Sequence, residues 1–275
     1  FKKNHRKEAI QFCGELIKLG YKVFVQLVSV TSYSDEEMLD LIRLANAVKP
    51  YAVSMVDTYG LMHQSNIKHY YELLDKHLDG DIALGYHAHN NFQMGYANCI
   101  ELLSKQTERM IVVDGSIYGM GKSAGNAPLE LIAMHMNQCY GKKYHISQIL
   151  EAIDANISIF YTPATWGYNM FYYIAAFNDC HPNYVSYLMD KRTLSVKSIN
   201  EILGQLKGEK RLLYDKDYIE ELYVGYQENV VDDKASVKRL KQKLEGKKIL
   251  LLGPGFNIKK QEKRIVDFIE KEKPT

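Results

Sequence analysis

No apolar run in these 275 residues reaches the length that spans a bilayer, so no membrane helix is expected. No secretory leader pattern opens the chain. An excess of one charge is also missing. Lys and Arg number 35 against 33 Asp and Glu, a net charge of +2 with no basic stripe. That balance argues against nucleic acid as the main partner. Cysteine is sparse. Cys13, Cys99, Cys139 and Cys180 are far apart and form no CxxC pair. They read as free thiols in a reducing compartment, with the cytoplasm as the expected location. Tyrosine, by contrast, is plentiful at 21 residues, many of them between Tyr140 and Tyr226. A lid or interface and ordinary half-buried packing both fit that run. With 46% hydrophobic and 25% charged residues, the composition is that of a globular chain of one large domain or two smaller ones.

Strand and helix patterns alternate about every 30 residues through the first 140 positions. Residues 1–19 read as a helix stopped by Gly20, and 21–30 as a strand. Ser34 and Glu37 form a capping box for a helix over 35–48. Strands at 51–57, 82–89 and 109–114 alternate with helices at 64–78 and 92–103, and Pro128 opens another helix. This is the pattern of parallel strands with crossover helices. Four such units are the last half of a (β/α)8 barrel, or else an open four-stranded sheet with a polar site at one edge. The expected divisions are a barrel half over 1–144, a helical domain over 145–245, and the start of a further α/β domain over 246–275. In that last part a strand at 247–252 leads into Gly253-Pro254-Gly255. This is a weak nucleotide-binding signal without its third glycine.

The chemistry concentrates at strand ends. In the strand running into Gly85-Tyr86-His87-Ala88-His89-Asn90-Asn91, His87 and His89 share a face with Ala83 and Gly85. Ile82, Leu84, Tyr86 and Ala88 take the other face. A Cα separation of roughly 6.5–7 Å lets two imidazoles reach one ion at about 2.1 Å. Two satisfied histidines at a strand end are the plain alternative. Thr58, after Asp57, shares the small face of Ala52 and Ser54, which directs its hydroxyl toward the site; a turn or cap role is its alternative. Gln26 is a lone polar residue in an apolar strand, a site candidate or a core amide. The run from Asp114 to Pro128 holds four glycines, which let backbone approach a ligand closely. Gly121-Lys122-Ser123 fits a phosphate loop locally, but Ser116 stands where that motif needs glycine.

Val56-Asp57-Thr58-Tyr59-Gly60, His87-Ala88-His89-Asn90-Asn91, Gly119-Met120-Gly121 and Gly125-Asn126, in this order, resemble the DRE-TIM metallolyase superfamily. The likeness is greatest to its 4-hydroxy-2-oxovalerate aldolase type and covers about residues 1–140. It implies a TIM barrel with a divalent ion at the strand ends. His87 and His89 would be ligands, and Thr58 would lie near the pyruvate carboxylate. Asn126 would sit beside the metal, Asn91 would follow the ligands, and Gly121 would line the substrate site with Gln26. The implied reaction cleaves a 4-hydroxy-2-oxo acid to pyruvate and an aldehyde through a metal-bound enolate. Mn²⁺ or Mg²⁺ suits a mixed imidazole and oxygen shell, with Zn²⁺ also allowed. The last glycine-rich loop has no cysteine, unlike the lyases acting on hydroxymethylglutaryl-CoA. Two other functions stay open. One is an acetyl-CoA-dependent condensing acyltransferase of the same superfamily, and the other a non-catalytic binding or assembly fragment.

The superfamily's first strand, with its aspartate ligand and arginine, has no counterpart here. The chain alone is therefore expected to be inactive and to pair with a second copy or with an N-terminal half. Four strands are expected to leave Ala52, Ser54, Ala83 and Gly85 open to water and two sheet edges unpaired. Trp166, Tyr168, His181 and Tyr184 are candidates for a lid over the site, with packing between helices as the alternative.

Overall fold

The computed structural model describes residues 3–162, 165–230, 233–253, 255 and 257–274. Phe1 and Pro254 lie outside these. Two compact units divide the chain, 1–220 and 221–275.

The first unit is built on a parallel sheet with strand order β1-β2-β3-β4, comprising β1 (Phe24–Leu27), β2 (Ala52–Asp57), β3 (Ala83–Ala88) and β4 (Ile111–Val113). Between them run α1 (Arg6–Lys18) before β1, α2 (Asp35–Val48), α3 (Gln64–His77) and α4 (Gly95–Leu103), and α5 (Leu129–Tyr140) follows β4. The outward side chains Val25, Leu27, Val53, Met55, Leu84, Tyr86 and Ala88 join Ile10, Met38, Leu41, Ile67, Leu74, Cys99 and Leu102 of the helices in one core. At about 25 cal/mol per Å² of apolar surface, this layer is the main stabilising contact of the unit.

β1 is shorter than the apolar run predicts. Ser29 takes a left-handed conformation (φ 55°), and Val30–Ser32 winds into a 3-10 turn. Ser34 caps α2 as expected, accepting from the Glu37 amide while the Glu37 carboxylate accepts from the Ser34 amide. The inward face corrects one expectation. Ala52, Ser54 and Ala83 are buried, not open to water. The side chains here are short, and Ser54 leans over Gly85. A Cβ on Gly85 would lie 2.1 Å from the Ser54 hydroxyl oxygen.

Among the described residues the α-helices that follow are α6 (Ile146–Ala152), α7 (Met170–Phe177), α8 (Pro182–Asp190), α9 (Val196–Leu203) and α10 (Lys216–Val230). Tyr184 of α8 is fully buried. Its hydroxyl shares its one proton between the carbonyls of Lys210 and Leu213, so it packs between helices and does not serve as a lid. In the second unit, α11 (Lys234–Leu244), α12 (Asn257–Lys260) and α13 (Glu262–Glu272) follow, and Lys248 pairs with Glu272. The strand expected over 247–252 does not form. Among the described residues no other strand lies beside it, and an unpaired strand leaves its backbone groups without partners.

Candidate active site

Register builds the site. Gln26, Ser54, Gly85 and Val112 lie in one row across the inward face. One step further along, Val56 pairs with His87, and the Asp114 amide donates to the Tyr86 carbonyl. His87, His89, Asp114 and Thr58 therefore gather where the strands end.

The rings of His87 and His89 have centroids 5.5 Å apart. The Asp114 carboxylate lies 3.0 Å from His87 Nδ1 and also accepts from Gln26 Nε2 at 3.2 Å. With the Nδ1 proton directed at the carboxylate, His87 Nε2 carries a lone pair. Burial, joined by the neighbouring His87 and the Lys122 charge, lowers His89 to about 4, against an opposing hydrogen bond with the Lys122 backbone. His89 is thus neutral near pH 7, the state that ligates metal.

The loop after β4 folds back onto this pair. His89 and Asn126 form an antiparallel bridge, the Asn90 amide donates to the Gly125 carbonyl, and the Ala127 amide to the Ala88 carbonyl. Gly121 is required by this closeness, since a Cβ there would sit 2.8–2.9 Å from the Asn126 side-chain atoms. Asn126 Nδ2 donates to the Met120 carbonyl, while its buried Oδ1 has no protein partner among the described residues. Trp166 holds the loop from outside, donating from Nε1 to the Tyr118 carbonyl at 2.9 Å.

A cavity of about 530 Å³ opens beside this cluster. Thr58, Tyr59, His89 and Lys122 from the strand ends and their loops line it, together with His181, Pro182, Leu212 and Leu213 from the helical region. Thr58 Oγ1 accepts from the Ser29 amide at 2.7 Å, which leaves its own proton to donate. Below it, Asp57 is buried. Its carboxylate accepts from the Leu61 and Met62 amides, and burial nevertheless raises it to about 6.

The structure thus brings His87, His89, Asn126, Gly121 and Thr58 together, with Gln26 reaching them through Asp114. Asn91 lies apart. It is buried and donates to the Tyr172 carbonyl in α7, away from the cavity. Of the four aromatic lid candidates, His181 alone lines the cavity; Trp166 braces the loop and Tyr168 is exposed. Sequence reasoning missed Asp114 and Lys122 as site members. For Asp114 the signal was there: it is the first polar residue after an apolar strand, at the same end as His87 and Thr58.

The profile of the HMGL-like family matches residues 3–169. The chain belongs to the HMGL-like family. Among curated relatives, the 4-hydroxy-2-oxovalerate aldolase of Alkalilimnicola ehrlichii is 30% identical over 136 residues, covering 48% of this chain and 39% of that protein. The oxaloacetate decarboxylase of Mycobacterium tuberculosis is 27% identical over 139 residues, covering 50% and 40%. This HMGL-like chain therefore spans about two fifths of the length of these relatives. In structure it is similar to the N-terminal domain of an aldolase candidate from Bacteroides vulgatus. The TM-score is 0.61 and the identity 22%, over 73% of this chain and 64% of that one. That likeness is one of fold.

Proposed function

We propose that this HMGL-like protein is a divalent-metal-dependent aldolase that cleaves a 4-hydroxy-2-oxo acid to pyruvate and an aldehyde. On this reading the four βα units are the C-terminal half of a (β/α)8 barrel, and the site lies at the carboxyl ends of the strands. The observation that carries the proposal is the pairing of two imidazoles with Asn126 pinned beside one of them and Asp114 behind the other.

The donor set fits a metal in part. His87 and His89 supply two imidazole nitrogens, and the unpartnered Asn126 Oδ1 supplies an oxygen at hand. Among the described residues no third His, Cys, Asp or Glu completes a cluster with them. The remaining positions fall to substrate, water and the superfamily's first-strand carboxylate. This mixture favours Mn²⁺ or Mg²⁺ over Zn²⁺. A bound ion would act as a Lewis acid toward the 2-oxo acid.

The chain's own residues do the positioning. Asp114 and Gln26 fix the tautomer and tilt of His87. Thr58, whose oxygen accepts from the Ser29 amide, has its proton to donate to the substrate carboxylate. Gly121 lets Asn126 reach the site. Asn91 ties the β3 end to α7 and acts through position alone. The test is release of pyruvate from racemic 4-hydroxy-2-oxopentanoate by the intact protein, with and without Mn²⁺. Turnover that needs the ion supports the proposal. Turnover unaffected by removing all divalent metal contradicts it.

A further inference from the structure

The cavity beside Thr58 and His89 has room for a drug-sized ligand, more than pyruvate and a two-carbon aldehyde would fill. Its lining is mixed. Val28, Pro182, Leu212 and Leu213 contribute apolar surface, while Lys122, whose backbone hydrogen-bonds His89 and whose charge acts on it, contributes a cation. Lys122 enters no ion pair among the described residues, and Glu209, also in the lining, does not pair with it. The loop presents Lys122 between Gly121, which packs on Asn126, and Ser123, which turns through a left-handed conformation (φ 60°). The Lys122 backbone is thus held by the same loop that brings Asn126 to His89, with its side chain free to reach into the cavity.

A cation in this position carries an electrostatic cost. It sits beside an imidazole that is to bind a dication, and like charges at short range repel. A ligand that brings a second negative group offsets that repulsion and gains a charge-assisted hydrogen bond. We propose that Lys122 binds a second anionic group, carboxylate or phosphate, on the aldehyde side of the substrate, with the apolar surface covering the carbons between. The inference rests on the aldolase reading and adds the substrate class.

The reaction balances without an oxidant or co-reactant. The C3–C4 bond breaks, its electron pair stays on C3, and C3 takes a proton to become the pyruvate methyl. The 4-hydroxyl gives up its proton as C4 becomes the aldehyde carbon. 4-Hydroxy-2-oxoglutarate then yields pyruvate and glyoxylate. 2-Keto-3-deoxy-6-phosphogluconate yields pyruvate and glyceraldehyde 3-phosphate.

Trp166, the one tryptophan of these 275 residues, supplies a binding signal, since it donates to the Tyr118 carbonyl in the loop that carries Lys122. The intact protein with Mn²⁺ is titrated with 2-oxoglutarate and with 2-oxopentanoate, following Trp166 fluorescence, in wild type, Lys122→Met and Lys122→Arg. Lys122 is exposed, so neither substitution threatens the fold. Wild type should bind 2-oxoglutarate about tenfold or more tighter than 2-oxopentanoate. Lys122→Met should erase that preference and Lys122→Arg retain most of it. Pyruvate release from the two anionic substrates then separates carboxylate from phosphate. Equal binding of the two probes by wild type, or a preference that survives in Lys122→Met, overturns the proposal. A Lys122-dependent preference without pyruvate release from any 4-hydroxy-2-oxo acid upholds the anion site and contradicts the aldolase reading.

Discussion

Gly121 and Asn126 show how a single missing side chain places a functional one. An alanine at 121 would push against the Asn126 amide at under 3 Å, and Asn126 would have to leave His89. Gly121→Ala should therefore lower kcat by on the order of 10–100-fold while the protein stays folded, as steady-state kinetics with circular dichroism would show. Asp57 offers a pH test. Its folded value is raised from 3.8 to about 6, so between those values the folded state holds a proton that the unfolded state has released. Stability from this group is present below pH 4 and is lost as pH rises to 6, a change of about 3 kcal/mol. Urea unfolding at pH 4, 5, 6 and 7 should show that loss in wild type but not in Asp57→Asn. Identical slopes in both proteins would remove Asp57 as the cause. The histidines and Thr58 were legible in the sequence because strand alternation puts them on the small face at a strand end, while the Gly-Asn pair was legible only through the family resemblance. The Asp114–His87 contact was not, since it depends on the register between two strands 27 positions apart.

Among the elements, strand order and helix alternation followed directly from periodicity, whereas element ends did not. β1 stops at Leu27 because the chain turns left-handed at Ser29, a choice that serves Thr58 and has no mark in the apolar pattern. Arg109 was likewise read only as a strand residue. It is almost wholly buried and clamps the end of α3 to β3. It donates to the Asp75 carboxylate and to the carbonyls of Asp75, Leu78, Asp79 and Ile82. Arg109→Met leaves these acceptors and a carboxylate without their donor, and should destabilise the unit by about 3–5 kcal/mol. Arg109→Lys should recover little, because one ammonium cannot replace the planar fork. Chemical unfolding of the two variants checks both statements, and a loss under about 1 kcal/mol in Arg109→Met would contradict the clamp.

For the whole molecule, β1 and β4 each border the sheet with one edge unpaired among the described residues. Such edges recruit other strands. The 275-residue chain by itself should therefore associate, and sedimentation as a dilute, stable monomer would contradict that. The central claim is that His87 and His89 hold an ion that activates pyruvate, and it does not depend on which aldehyde the enzyme uses. Exchange of the pyruvate methyl protons for deuterium, followed by proton NMR in the intact protein, tests it most directly. Wild type with Mn²⁺ or Mg²⁺ should exchange them, and removing the metal, His87→Ala or His89→Ala should each abolish exchange together with bound metal. Exchange and metal content at wild-type levels in both histidine variants would contradict the account.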